Sequence, residues 1–201
     1  MSRDRPPMSA VPGGARKRRL RVLPVLVVAA LGAAVLAFAT FGTFHRGARR
    51  AAAAGLPMPT FRLPVLDAGL LEGDTTFLSS DELKGHVVLL DYWATSCKPC
   101  VAEQPLLMEL QDDYGDGGLR VVGVLDGGHA ASAFDWLQGH HRERFLTVVG
   151  NERVARAGHV AGLPETLLVA RNGQVIARFE GYSKERDPYL RQRVRELTTK
   201  R

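Results

Sequence analysis

Residues 90–100 read Leu-Asp-Tyr-Trp-Ala-Thr-Ser-Cys-Lys-Pro-Cys and contain both cysteines of this 201-residue chain. Two thiols separated by two residues can close into a disulfide and open again, but they cannot form a disulfide framework or a four-thiolate zinc site. A structural disulfide, half of a metal site and a chance pairing are the alternatives. A bridge across so short a loop gives little entropic stabilisation, and structural zinc needs two further ligands nearby. The pattern therefore favours a redox-active pair, Cys97 and Cys100.

The segments around this pair predict alternating strands and helices. Val87–Tyr92 is a continuous apolar run typical of a buried central strand, and Leu119–Leu125 is a second one. A helix is predicted from Cys97 to Tyr114 and a charged one from Ser183 onward, while Asn172-Gly173 predicts a hairpin. Shorter strands are predicted at 61–66, 75–78, 146–149, 166–170 and 175–179, shorter helices at 130–138 and 151–157, and a helical turn capped by Ser80. This order predicts an α/β domain with a central mixed sheet and helices on both faces.

The cysteine stretch resembles the active-site segment of the thioredoxin fold, and it is most similar to the membrane-anchored TlpA/ResA/DsbE branch. The likeness covers roughly residues 57–200 and is supported by further segments, which are Pro59-Thr60-Phe61-Arg62-Leu63, Leu83-Lys84-Gly85-His86-Val87-Val88-Leu89, Cys100-Val101-Ala102-Glu103-Gln104-Pro105 and Gly162-Leu163-Pro164-Glu165-Thr166. A C-x-x-C at a strand-to-helix junction, followed by Gly-x-Pro before a later strand, is a specific combination. The resemblance implies a thioredoxin-like fold.

The two thiols are expected to play different roles. Cys97 would lie at the start of a helix, where free backbone N–H groups, the helix dipole and the neighbouring Lys98 should lower its pKa below the ordinary value of about 8.5. Cys100, almost one turn further on, would be the buried resolving thiol. The resemblance implies that Asp91 is a buried acid that assists proton transfer at Cys100; a strand-end residue bonded to the backbone is the alternative.

The other half of the expected site surrounds Pro164. The resemblance implies that Pro164 follows a cis peptide bond and faces the disulfide, which would leave the backbone of Leu163 free to pair with an extended substrate. Trp93 is expected to pack beside the active-site turn or to fill the core. Glu165 would either select a substrate at the groove or be a solvated residue at the strand end. Ser96 departs from the pattern, because a Trp commonly precedes the first Cys in this family.

The N-terminal region predicts a membrane anchor. Residues 16–21, Arg-Lys-Arg-Arg-Leu-Arg, lead into the apolar run Val22–Phe44. About 20 residues cross a bilayer core of roughly 30 Å, so residues 22–44 are long enough to span it. The positive-inside rule puts residues 1–21 in the cytoplasm, and a linker at 45–59 and the domain at 60–200 outside it. A cleaved signal peptide is the alternative, because Ala37-Phe38-Ala39 resembles a cleavage site, but the run exceeds the usual apolar segment of about 7–15 residues.

The net charge of +6 is distributed unevenly along the chain. Residues 1–56 carry ten basic residues and one acidic residue, whereas the remainder carries 17 basic and 20 acidic residues. The basic character therefore belongs to the flanks of the predicted anchor. This removes the main support for nucleic-acid binding.

Together these features predict a membrane-anchored, extracytoplasmic thiol–disulfide oxidoreductase that needs no cofactor or metal. The resemblance implies a reductant of protein disulfides, with the haem-attachment thiols of apocytochrome c as the leading substrate and a membrane reductant of the DsbD/CcdA kind as the source of electrons. Pro99 before the second cysteine is similar to the reducing members. Two alternatives are a general disulfide oxidant and a copper chaperone of the Sco type, although the latter uses C-x-x-x-C and a distant histidine.

Overall fold

The structure, a computed structural model, describes residues 55–67 and 76–199. The strands in this part of the chain are β1 (Arg62–Pro64), β2 (Phe77–Ser79), β3 (Val87–Trp93), β4 (Leu119–Leu125), β5 (Thr147–Val149), β6 (Glu165–Val169) and β7 (Val175–Glu180). The helices are α1 (Lys98–Tyr114), α2 (Ala130–Gly139), α3 (Glu152–Ala157) and α4 (Asp187–Thr199). Strands and helices alternate first and end in a hairpin and a helix, as the sequence predicts.

The main sheet has five strands in the order β5-β4-β3-β6-β7, with β3 at its centre. β3 pairs in parallel with β4 and antiparallel with β6, and every one of its residues is buried. The hairpin between β6 and β7 turns at Gly173, whose φ of 80° is in the region that favours glycine. A strand with neighbours on both edges and both faces must be apolar on both sides, which explains the continuous run of the sequence.

Alternate residues of β3 face opposite sides of the sheet and join two separate apolar clusters. Leu89 and Trp93 pack with residues of α1, α2 and α4, whereas Leu90 and Tyr92 pack on the side of α3. Helices therefore cover both faces, which confirms the predicted mixed-sheet architecture. Asp91 has the same parity as Leu89 and Trp93, so it lies on the face of α1, the helix that carries the cysteines.

A two-stranded sheet of β1 and β2 and a short 3₁₀ turn, Ser80–Leu83, precede the main sheet. Ser79, not Ser80, caps this turn, and its Oγ accepts the N–H of Asp81 at 3.3 Å. The prediction of Ser80 as the cap is wrong because Ser80 is buried and its Oγ accepts the N–H of Phe61 at 3.1 Å. The serine that sequence reasoning assigned to a local cap thus joins two distant segments.

Residues 55–58, the end of the predicted linker, already pair with the β6–β7 hairpin. The N–H of Met58 donates to the carbonyl of Gly173 at 2.8 Å, and the N–H of Gly55 donates to the carbonyl of Val175 at 2.8 Å. Ordered backbone pairing therefore begins before residue 60. The predicted cytoplasmic segment, 1–21, and the predicted anchor, 22–44, lie outside the described residues. Within 55–67 and 76–199 no helix has the length and apolarity needed to cross a membrane.

Candidate active site

The two cysteines form a disulfide at the N-terminal end of α1. Cys97 is the N-cap residue of this helix, and its Sγ accepts the N–H of Cys100 at 3.2 Å. Cys97 is half-buried, whereas Cys100 is completely buried in the apolar cluster beneath α1. An outside sulfur can therefore reach Cys97 but not Cys100, which is the asymmetry expected of an attacking thiol and a resolving thiol.

Local chain geometry fixes Cys97 at the helix end. After β3 ends at Trp93 the chain turns, and the N–H of Cys97 donates to the carbonyl of Ala94 at 3.1 Å. Pro99, in the first turn of α1, has no N–H to leave unpaired, so it suits this position. The free N–H groups and the positive end of the helix dipole then surround the sulfur of Cys97, an environment that stabilises a thiolate.

Pro164 lies at the same end of the sheet as the cysteines. In the antiparallel pairing of β3 with β6, Tyr92 lies opposite Glu165, so Pro164 comes next to the end of β3 from which the cysteine turn begins. The Leu163–Pro164 peptide bond is cis, as the resemblance implies. The carbonyl of Pro164 accepts the N–H of Gly181 at 2.8 Å, and Leu163 is half-buried against the cluster that contains Cys100.

On the face of the sheet that α1 covers, two buried carboxyl groups meet at one threonine. Asp91 is fully buried, and its Oδ1 lies 3.3 Å from Thr166 Oγ1. Glu103 is three residues after Cys100 on α1, is also buried, and its Oε1 lies 3.1 Å from the same hydroxyl. A hydroxyl has one hydrogen to donate, so one carboxyl can accept it while the other binds best as a protonated donor. The arrangement holds a proton at a carboxyl pair of which Glu103 is one helical turn along α1 from the resolving thiol.

Burial is the main cause of the shifted pKa values of this pair. It raises the pKa of Asp91 well above its ordinary value, and the neighbouring Glu103 raises it further, while the hydrogen bond from Thr166 opposes both effects. Burial raises the pKa of Glu103 to about 7, although the guanidinium of Arg186, 3.8 Å from Glu103 Oε1, lowers it. At least one proton is therefore available to exchange near neutral pH.

Sequence reasoning missed Glu103 and Thr166. Glutamate on a helix is ordinarily solvated, but Glu103 occurs at the spacing of one helical turn from Cys100, on the side of α1 that carries the buried Leu106 and Leu107. That spacing was the available signal. Thr166 gave none, because its contacts with Asp91 and Glu103 join residues 75 and 63 positions apart.

Trp93 and Glu165, both expected near the substrate groove, are buried. Trp93 has no exposed surface, and its ring packs against Trp136 and Phe145 with centroid distances of 5.8 and 6.1 Å. Of its two expected roles, the structure therefore shows the core one. Glu165 is 1% exposed and forms an ion pair with Arg178, so it is not the solvated strand-end residue that the sequence allowed. In this structure neither side chain is where a substrate could touch it.

The described residues hold no group of three or more His, Cys, Asp and Glu side chains that could bind a metal ion. His140 stacks on Trp136 with a centroid distance of 4.0 Å, and its Nδ1 donates a hydrogen bond to the Trp136 carbonyl at 2.8 Å.

Comparison with known proteins agrees with this geometry. The Redoxin family matches residues 53–193. The chain is 32% identical to the thiol:disulfide interchange protein HelX of Rhodobacter capsulatus over 151 residues, which are 71% of this chain and 80% of the relative. It is 34% identical to the thiol:disulfide interchange protein DsbE of Escherichia coli over 133 residues, 65% of this chain and 67% of the relative.

A third sequence relative and a solved structure are also similar to the chain. The chain is 30% identical to the thiol-disulfide oxidoreductase ResA of Geobacillus kaustophilus over 127 residues, 63% of this chain and 69% of the relative. A crystal structure from Chlorobium tepidum, assigned as a thiol:disulfide interchange protein DsbE, superposes with a TM-score of 0.64 at 27% identity and covers 72% of this chain and 97% of that one. With its disulfide at the start of α1 and a cis proline at the same end of the sheet, the chain belongs to the redoxin family, on a thioredoxin-like fold, as a thiol–disulfide oxidoreductase of the DsbE, HelX and ResA type.

Proposed function

We propose that this oxidoreductase is a membrane-anchored reductant that works outside the cytoplasm on protein disulfides, with the haem-attachment cysteines of apocytochrome c as its substrate. The arrangement of the two sulfurs supports thiol–disulfide exchange, and the resemblance of Pro99, before the second cysteine, to the reducing members supports a reductant. Cys97 is accessible at a helix N-terminus, while Cys100 is buried one helical turn before Glu103, a member of the carboxyl pair with raised pKa values. Such a pair can open a substrate disulfide and then release the captured substrate.

The reaction begins with both cysteines reduced. The thiolate of Cys97 attacks one sulfur of the substrate disulfide, forming a mixed disulfide and breaking the substrate bond, and the other substrate sulfur leaves as a thiolate. Cys100 then loses its proton to the buried carboxyl pair and attacks Cys97 Sγ, and the second substrate sulfur leaves. Two electrons have moved from the dithiol to the substrate. The Cys97–Cys100 disulfide of the structure corresponds to this product state.

Substrate docking is proposed at Leu163. Among the described residues its N–H and carbonyl take part in no hydrogen bond with another backbone group, and it directly precedes the cis Pro164. An extended peptide can therefore add its own backbone beside Leu163 and bring its sulfur to Cys97. The proposal of apocytochrome c relies on the resemblance of the cysteine stretch and its supporting segments to the TlpA/ResA/DsbE branch. A membrane dithiol donor of the DsbD/CcdA kind would return the pair to its reduced form.

Replacing each cysteine separately tests the mechanism. Cys97→Ser is expected to abolish disulfide reduction, because the accessible nucleophile is gone. Cys100→Ser is expected to accumulate mixed disulfides through Cys97, because the releasing thiol is gone. Mass spectrometry of the trapped partners identifies the substrate, and haem-attachment peptides among them support the proposal. Recovery of no covalent partner from cells that express Cys100→Ser contradicts it.

A redox titration tests the direction of electron flow. A reduction potential near the thioredoxin value of about −270 mV indicates a reductant, whereas a value near about −120 mV indicates the disulfide oxidant that the sequence left as an alternative. The location is tested separately by fusing alkaline phosphatase, which is active only outside the cytoplasm, after the last residue. An active fusion in the membrane fraction is expected, and an inactive or fully released fusion contradicts the anchored topology.

A further inference from the structure

A buried ion pair lies directly behind the proposed docking segment. The side chains of Glu165 and Arg178 are 1% and 5% exposed, and a guanidinium nitrogen of Arg178 contacts Glu165 Oε1. Leu167 lies opposite Arg178 in the β6–β7 pairing, so the ion pair runs diagonally between neighbouring strands. Removing two charges from water is costly, and an apolar pair of similar volume is often at least as stabilising. Stability alone therefore gives little reason for this pair.

Arg178 also binds the beginning of the segment that leads to Pro164. Its Nη1 donates to the carbonyl of His159 at 3.3 Å, and its Nη2 donates to the carbonyl of Gly158. Gly158 is the residue at which α3 ends, and its own N–H donates to the carbonyl of Val154 at 2.8 Å. The guanidinium thus fixes the point at which the chain leaves α3.

Glu165 is the last residue of the 158–165 segment, and its side chain binds the middle of that segment. Its Oε2 accepts the N–H of Ala161 at 2.9 Å, and its backbone follows directly on Pro164. Residues 158–165 are therefore held at three places by one pair of side chains, through the carbonyls of Gly158 and His159 and the N–H of Ala161. Val160 and Leu163 pack against the apolar core, but Ala161 and Gly162 between them are exposed, and the bond to Glu165 holds this exposed part of the segment.

We infer that Glu165 and Arg178 act as a clamp that fixes the 158–165 segment, so that the Leu163 backbone is ready to pair with a peptide substrate. Both are positioning residues, because they act through the segment and touch neither the substrate nor the sulfurs. The inference rests on the proposed docking at Leu163 and extends it. It replaces the expected role of Glu165 as a direct substrate contact. A preordered segment avoids the entropy cost of ordering that a mobile one would incur at each binding event.

The test compares variants in single-turnover reduction of a synthetic peptide that contains an oxidised Cys-x-x-Cys-His sequence. Arg178→Lys keeps the charge but loses the fork of donors, and Glu165→Gln keeps an acceptor for Ala161 but loses the ion pair. The double variant Glu165→Leu/Arg178→Met removes the clamp without leaving a buried unpaired charge. Arg156→Gln is the matched control, because it breaks an exposed ion pair with Glu152 on the neighbouring α3.

Three quantities are measured for each variant: the half-saturating peptide concentration, the alkylation rate of Cys97, and the melting temperature. We expect the half-saturating concentration to rise about tenfold in Arg178→Lys and in the double variant, because docking must then order the segment. Glu165→Gln should show a smaller rise. The alkylation rate should be unchanged, since the clamp does not touch Cys97, and Arg156→Gln should resemble the wild type in all three quantities.

The double variant separates positioning from stability. If it melts as the wild type does and still needs the higher peptide concentration, the clamp acts on docking. If it recovers both melting temperature and half-saturation, the pair is structural only and the inference is wrong. Hydrogen exchange of residues 158–163 gives a readout that does not depend on the substrate. If the wild-type protein does not reduce the peptide, the proposed function is wrong. The clamp is then tested by hydrogen exchange alone, and equal exchange rates of residues 158–163 in the wild type and the double variant would contradict it.

Discussion

Thr166 connects the two buried acids of the site through its hydroxyl group. It faces Asp91 at 3.3 Å and Glu103 at 3.1 Å, and none of the three groups has exposed surface beyond 1%. The second oxygen of each carboxyl, Asp91 Oδ2 and Glu103 Oε2, has no hydrogen-bond partner within the described residues. An unpaired buried oxygen favours the neutral form of its carboxyl, so this pair holds a proton that a thiol reaction can exchange.

Glu103→Gln is predicted to slow the resolving step and change its pH dependence. With a pKa of about 7, Glu103 becomes a proton acceptor for Cys100 as pH rises through neutrality, whereas glutamine cannot accept the proton. Wild-type release of a mixed disulfide should accelerate across this range, and the variant should lose that rise and be at least about 100-fold slower above pH 7. Stopped-flow decay of a Cys97–thionitrobenzoate adduct across a pH series measures this release rate.

Glu109→Gln serves as the control for this experiment. Glu109 is also on α1 but is exposed and paired with Arg191, so its replacement should leave the profile unchanged. An identical pH profile for wild type and Glu103→Gln would assign the proton to Asp91 alone.

For individual residues, the sequence predicts those that act locally and misses those that act through distant contacts. Cys97 and Cys100 are identified by spacing, and the cis bond before Pro164 by resemblance. Arg178 and Glu103 are not identified, because a charged side chain in a strand or helix is ordinarily solvated. Their burial depends on partners from other elements, Glu165 in one case and Asp91 with Thr166 in the other, which no local pattern reveals.

Of the strands, β4 packs closely against Trp93 at Gly123. A Cβ at Gly123, in the middle of this strand, would lie 2.7 Å from Phe145 Cε1, 2.8 Å from Trp93 Nε1 and 3.0 Å from Thr147 Oγ1. Both rings and Thr147 are buried, so none can move aside freely. A strand normally prefers a side chain at each position, and here the buried indole of Trp93 takes part of that space.

Gly123→Ala is therefore predicted to destabilise the domain by about 1–3 kcal/mol, because overpacking forces the indole or β4 to shift. Gly139→Ala is the matched control. Gly139 is the last residue of α2, where a Cβ would meet nothing within 4 Å, and alanine there should be neutral or stabilise by up to about 1 kcal/mol. Urea unfolding of the oxidised proteins gives both values. Equal stabilities for the two variants would show that the contacts at Gly123 are relieved without cost.

The predicted elements agree with the structure in type and order, and differ at their ends. β4, Leu119–Leu125, has the predicted bounds because all its residues except Arg120 are apolar or glycine and buried, and Gly118 precedes it. The predicted strand 61–66 is shortened to Arg62–Pro64, since the length of an edge strand depends on how far its partner β2 extends. Hydrophobic periodicity identifies central elements well, whereas edges depend on tertiary pairing.

At the scale of the whole molecule, the charge pattern separates a basic N-terminal region from a domain with a small acidic excess. The anchor and the extracytoplasmic location predicted from this pattern stay predictions. The domain itself buries ionisable groups under its active site, and this links its overall stability to the chemistry of one pair of carboxyls. Burial disfavours the charged form of Asp91 and Glu103, which raises their pKa values and lets the pair exchange a proton near neutral pH.

The oxidised protein is consequently predicted to lose stability as pH rises from about 4.5 to 7. Burial raises the pKa of Glu103 from 4.5 to about 7 in the folded protein. Between these values the folded state binds more protons than the unfolded state, so the free energy of unfolding falls with increasing pH, by about 3 kcal/mol for this group. Asp91, whose pKa is also raised, adds a change of the same sign.

Urea denaturation at pH 5 and pH 8 measures this change, and the disulfide removes any titration of the cysteines. Glu103→Gln cannot ionise, so it should be less sensitive to pH than wild type and should be more stable than wild type at pH 8. Glu109→Gln, which replaces an exposed glutamate of the same helix, should keep the wild-type slope. A wild-type stability that is flat or rises between pH 5 and pH 8 would mean that the carboxyl pair ionises at ordinary pKa values, and the buried pair could then not hold a proton for Cys100.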